Sequence, residues 1–168
     1  MLADNEAALV TARAAEGGAL PGTEESAKRS SAMFVEGPLS PQFTAQSSAV
    51  IAARAGLART ELERATFLMV EETGVGAAHP YSGEKLSPVL TVYCARDFAH
   101  AAEISGEILR YQGAGNSVGL HSTRDERALA LGLEWPGCRV SVNQSHGFAT
   151  GGSVDKGVPF AARRGCGT

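Results

Sequence analysis

The chain has 168 residues, is 43% hydrophobic and 20% charged, and carries a formal net charge of −3. That length suits one domain whose core needs neither disulfides nor a structural metal, and the mild acidity excludes the basic footprint of a nucleic-acid or anionic-membrane binder. No run approaches the roughly 18 apolar residues of a membrane span, and no basic start leads into an apolar stretch, so a cytoplasmic protein is expected. Cys94, Cys138 and Cys166 are odd in number and widely spaced, without a CxxC pair, which argues against a disulfide framework or zinc ribbon. The four histidines provide no ligand pair either, so no metal site is expected.

In chain order, Glu6 to Glu16 is Ala-rich and reads as a helix stopped by Gly17-Gly18. Thr23-Glu24-Glu25 opens a short polar helix to about Met33; both pieces read as peripheral. After the punctuation Gly37-Pro38-Leu39-Ser40-Pro41, a helix is expected from Thr44 to Ala55, with Ala45, Ala49, Val50 and Ala53 on one face and Gly56 at its end. The period then changes. Thr66 to Val70 and Pro88 to Cys94 are β-rich runs that read as buried parallel strands, which would make Cys94 an inert apolar filler.

Phe98 to Tyr111 has helical spacing with Asp97 as its cap candidate. Ser117 to Ser122 reads as a strand, Thr123 or Arg124 to Glu134 as a helix, and Cys138 to Asn143 as a further strand. Strands alternating with helices of this length imply βαβ connections, so the fold class is α/β with a mainly parallel sheet and flanking helices. The Gly- and Ser-rich stretch after Asn143 leaves the end of a strand, where open α/β sheets place ligands; a solvated tail is the plainer reading of it. His79 and His100 read as surface residues, and His121 fits either face of its strand.

Three strings fall in one order: Glu72-Thr73-Gly74-Val75-Gly76 through Ser82-Gly83-Glu84-Lys85-Leu86-Ser87-Pro88-Val89-Leu90; Tyr111-Gln112-Gly113-Ala114-Gly115; and Val142-Asn143-Gln144 through Gly165-Cys166-Gly167-Thr168. Together they resemble the catalytic domain of the coenzyme-A-acylating aldehyde dehydrogenases, most closely the branch acting on sulfoacetaldehyde. The match is firmest from Phe67 onward. On this resemblance residues 1–168 are a partial aldehyde dehydrogenase catalytic domain truncated at both ends, with 1–36 a weakly matched helical start and 37–168 a well-matched α/β core. The NAD(P)-binding Rossmann domain that the family places earlier has no counterpart here, since Gly113-Ala114-Gly115 follows a helix and lacks the spacing of a phosphate-binding turn.

The resemblance implies that a cysteine thiolate attacks an aldehyde, hydride passes to NAD or NADP, and the thioester is transferred to coenzyme A. It assigns Glu84 to the nicotinamide ribose, where a carboxylate can accept from both hydroxyls, and Leu86 to an apolar contact near the ring. Read without it, Glu84 beside Lys85 is a solvated loop ion pair. His146 and Thr150 are the candidates for lining a substrate pocket. The family's nucleophile opens a string matched here by Met1-Leu2-Ala3-Asp4-Asn5, so Met1 stands at its position, and a thioether has no ionisable proton.

Asn116 stands where relatives carry a histidine after the Gly-x-Gly turn, losing a titratable ring. Arg163-Arg164 replaces a less charged stretch and suits a sulfonate, coenzyme A phosphates or solvent. The expected partners are a small aldehyde and coenzyme A, with a homo-oligomer or a dehydrogenase subunit alongside, and neither nucleic acid nor membrane. Isolated, the chain is expected to be inactive. Three origins stay open: a silent fragment, one half of a split enzyme, or a non-catalytic module that binds a full-length subunit.

Overall fold

A computed structural model describes residues 5–20, 22, 32–34, 39–57, 60–137 and 139–147. The chain divides into two compact units, Met1–Ile104 and Ser105–Thr168. Every strand pair within the two sheets is parallel, as the alternation of strands and helices predicts. Among the described residues no helix is long and apolar enough to cross a membrane.

The first unit opens with α1 (Glu6–Ala15), which buries no residue and is peripheral as expected. Gly17 ends it at φ +87°, donating to the Ala14 carbonyl, and the chain passes directly into β1 (Gly18–Ala19). The next helix is shorter than its sequence suggests. Thr44, Ala45 and Gln46 lie in non-helical backbone, with Ala45 at φ +57°. Ser47 then caps the helix by accepting from the Val50 N–H, so α2 runs only Ser48–Arg54.

Gly56 at φ +67° stops α2, with Gly56 donating to Ala53 and Leu57 to Ala52, an arrangement that takes up otherwise orphaned carbonyls. A helix absent from the sequence reading, α3 (Thr60–Arg64), buries Leu62 against this region. Phe67–Glu71 forms β2 and Val89–Val92 forms β3, giving the sheet order β1-β2-β3.

The core of this unit gathers Met33, Phe43, Ile51, Leu62, Leu68 and Val70 around β2, whose three central residues are all buried. Met33 is fully buried, so the residue closing the segment expected to be peripheral is a core residue. Phe34 meets Tyr81 edge-on at 5.0 Å between ring centres, anchoring the loop that follows β2.

The chain continues into α4 (Phe98–Ile108), capped as expected by Asp97, whose carboxylate accepts from the His100 N–H at 2.8 Å. It closes in a π-helical turn, Leu109–Gly113, rather than running on as α-helix to Tyr111. In the second unit β4 (Ser117–Leu120) and β5 (Arg139–Val142) pair in register, with α5 (Asp125–Glu134) between them. β4 stops two residues before Ser122 and α5 starts after Arg124, because the Ser122 hydroxyl accepts from the Arg124 N–H and shapes a turn there.

Candidate functional site

The loop from Glu72 to Ser87 leaves the carboxyl end of β2 and returns to the start of β3, and side chains tie it down at several points. Glu72 Oε1 accepts from the Thr73 N–H at 2.9 Å and pairs with His79 Nδ1 at 2.8 Å, the histidine and glutamate side chains being 35% and 13% exposed. His79 is therefore a partly buried partner of Glu72 and not the surface residue expected from its place beside Pro80. Its ring occupies the space that a side chain at Gly74 would need, so the glycine is required there. The Gly76 N–H donates to Ser82 Oγ at 3.0 Å, and the Tyr93 hydroxyl donates to the Gly74 carbonyl at 3.0 Å.

The second half of the loop holds Glu84 and Leu86. Both side chains are exposed, Leu86 at 62%, while Lys85 between them is partly buried. Lys85 Nζ donates to the carbonyls of Tyr81 and Gly83, each at 2.8 Å, and Thr91 Oγ1 donates to the same Tyr81 carbonyl at 2.6 Å. Leu86 takes φ +43°, and its carbonyl accepts from the Ala45 N–H at 2.8 Å. The segment is thus clamped from inside by Lys85 and from behind by Ala45, with Glu84 and Leu86 facing outward.

Burial sets the electrostatics here. Desolvation pushes the Lys85 ammonium down to about 8, partly opposed by the Glu84 charge. The Tyr93 phenol is pushed up to about 12, first by desolvation and then by the Glu72 carboxylate, against a hydrogen bond from Ser82.

At the carboxyl ends of β2 and β3 lies a cleft of about 200 Å³, lined among others by Glu6, Glu71, Glu72, Tyr93, Cys94 and His100. Glu84 and Leu86 lie outside it. Cys94 corrects the expectation of a buried, inert thiol: β3 ends at Val92, and Cys94 is exposed with its Sγ–H donating to Glu6 Oε2 at 3.0 Å. That hydrogen bond, followed by desolvation and the Glu6 charge, holds the thiol above its ordinary value, opposite to what a thiolate nucleophile requires. His100 lines the cleft too, and its Nδ1 accepts from the Arg96 N–H at 3.3 Å. Among the described residues no group of three or more His, Cys, Asp and Glu is arranged to hold a metal ion.

In the second unit the carboxyl ends of β4 and β5 are joined by Asn143. Its side-chain amide donates to the Ser122 carbonyl at 2.7 Å and accepts from the Ser122 N–H at 2.9 Å, while its own N–H donates to Leu120 at 2.8 Å. At φ +53° Asn143 turns the chain sharply, and His146 lands with Nδ1 3.4 Å from where a Gly119 side chain would begin. His146 is exposed. Asn116 follows Gly115, a left-handed residue at φ +80° whose N–H donates to the Pro136 carbonyl at 2.7 Å.

Of the sequence-assigned residues, Glu84 and Leu86 share one loop of the first unit, and His146 stands beside β4 in the second. Met1 and Thr150 lie outside the described residues, as do Cys138, Arg163, Arg164 and Cys166. Sequence reasoning passes over the Glu72–His79 pair and the Glu6–Cys94 contact. The first joins residues seven apart in an irregular loop, and the second joins residues 88 apart; neither has a periodic signature.

No protein-family model matches the chain. It is 50% identical over 160 residues, 95% of its length, to sulfoacetaldehyde dehydrogenase (acylating) of Cupriavidus necator, covering 32% of that protein. With sulfoacetaldehyde dehydrogenase (acylating) of Bilophila wadsworthia it shares 37% identity over 77% of its length, covering 28% of the relative. A crystal structure of a probable aldehyde dehydrogenase from Listeria monocytogenes superposes with TM-score 0.81 at 31% identity, covering 88% of this chain and 32% of that one. The chain therefore spans about a third of the length of these relatives.

Proposed function

We propose, from the premise that this chain is homologous to one segment of the acylating aldehyde dehydrogenases, that it serves in the NAD(P)-dependent oxidation of a small aldehyde with transfer to coenzyme A. Sulfoacetaldehyde is the substrate this reading favours. The observation that carries it is the likeness to the C. necator enzyme along nearly the whole chain. The outward loop is chemically suited to a cofactor: an exposed carboxylate at Glu84 can accept from two vicinal ribose hydroxyls, and the exposed Leu86 offers apolar surface to a ring. The bound nicotinamide would supply hydride acceptance; Glu84 orients it and Leu86 shields one face from water.

On this reading His146 contributes to the substrate pocket together with Thr150, and Met1 holds the nucleophile's place. A thioether cannot ionise, and Cys94 has its thiol stabilised in the protonated form, so neither Met1 nor Cys94 is the nucleophile in this reading. The chain acts as one part of an enzyme completed by a cysteine-bearing, cofactor-binding portion.

The test mixes the purified chain with sulfoacetaldehyde, coenzyme A and NAD⁺ or NADP⁺ and follows reduced nicotinamide by absorbance. No turnover is expected from the chain alone, and turnover on co-expression with the remaining portion of the C. necator enzyme. Ordinary enzymatic rates from the chain alone would refute the role given to Met1; silence in the combination would refute the functional reading.

A further inference from the structure

We propose that Lys85 is a positioning residue whose inward ammonium fixes the Tyr81 and Gly83 carbonyls and thereby presents Glu84 and Leu86 to a nicotinamide nucleotide. The inference rests on the cofactor reading of Glu84 given above.

Three consecutive side chains alternate outward, inward and outward, and the inward one is a cation in a partly buried place. A lysine in a loop is ordinarily solvated, because desolvating an ammonium is unfavourable unless donors meet acceptors. Here Nζ meets two carbonyls at 2.8 Å, both in the stretch of chain that leads into Glu84. The Tyr81 carbonyl is shared with Thr91 of β3, so the ammonium links the loop to the sheet.

On the far side Leu86 is held in left-handed backbone, which a branched side chain adopts only when its surroundings impose it. The Ala45 N–H on the Leu86 carbonyl supplies that restraint. Glu84 is therefore bracketed by a clamp on each side. A carboxylate that must reach two hydroxyls at once gains from such preorganisation, since the loop need not be ordered when ligand arrives.

The experiment is NMR on the full chain, as wild type, Lys85→Met and Lys85→Arg, with nicotinamide mononucleotide as the probe. Lys85→Met is expected to lower amide protection at residues 83–87 by about tenfold while leaving the β2 amides protected, and to weaken binding of the probe by a similar factor. Lys85→Arg keeps charge and donors and is expected to restore most of both.

Unchanged protection at residues 83–87 together with unchanged probe affinity in Lys85→Met would overturn the inference. If the wild-type chain shows no binding of the probe while Lys85→Met still loosens residues 83–87, the cofactor reading of Glu84 is what falls. If the probe binds wild type and Lys85→Met equally, the cofactor reading stands and the positioning role falls.

Discussion

Lys85 carries its charge where water is scarce, and that has a consequence for stability as well as for presentation of the loop. Its folded value of about 8 lies below the ordinary 10.5, so folding disfavours the proton. Below pH 8 the ammonium is charged in both states and the burial penalty is fully felt. Between 8 and 10.5 the unfolded chain binds the proton more tightly, and stability rises with pH. The gain relative to Lys85→Met is expected to be about 2 kcal/mol, read from urea midpoints at roughly pH 7.5 and 10.

Cys94 makes a second prediction at this scale. The Glu6 carboxylate stabilises the thiol form, so Glu6→Gln should lower the thiol's pKa and speed its alkylation by iodoacetamide at about pH 7.5, measured by mass spectrometry on the Cys94 peptide. A rate unchanged from wild type would show that the contact does not set its reactivity. The exposure of Glu84 and Leu86 fits the polar, punctuated loop in which the sequence places them. The exposure of Cys94 is not legible in the same way, because the run Pro88 to Cys94 carries β character past the point where pairing with β2 ends at Val92.

Element by element, the stops are easier to read than the starts. Gly17 and Gly56 both sit at positive φ just beyond a helix, as their sequence positions indicate. Gly17 is also packed against the Thr66 side chain, whose Oγ1 lies 2.5 Å from where a Cβ would be. Gly17→Ala is accordingly expected to destabilise the chain by about 1–3 kcal/mol, detectable as a lowered urea midpoint, whereas Gly132→Ala, with open space at its Cβ, should not.

β1 escapes a sequence reading for a plain reason: Gly18 and Ala19 have weak strand preference, and only pairing with Phe67 and Leu68 makes them a strand. The start of α2 is placed too early by sequence because alanine periodicity reaches back to Ala45, while the chain there turns left-handed to bond Leu86. Asn143 is the converse case. Its sequence position makes it the last residue of a strand, yet its amide extends the β4–β5 ladder through the side chain once the backbone has turned away.

At the scale of the whole chain, the parallel pairing of the five strands among the described residues agrees with the βαβ order in the sequence, since parallel neighbours need a crossover connection. The turnover assay belongs at this scale, because the chain spans about a third of the length of the relatives it matches and the proposed function has a further portion supply the nucleophile and the main cofactor-binding surface. Leu129 and Leu133, four residues apart on α5, are both exposed.

By itself the sequence determined the class of fold, the order of its principal strands and helices, and the family likeness, because hydrophobic period, capping residues and contiguous motifs are local properties of a chain. Tertiary structure alone decided that Lys85 turns inward between two outward neighbours, that His79 pairs with Glu72, that Met33 joins the core and that Cys94 meets Glu6. Each of these depends on which distant or irregularly spaced groups share a desolvated space. Burial and pairing of that kind are settled only when the chain has closed on itself.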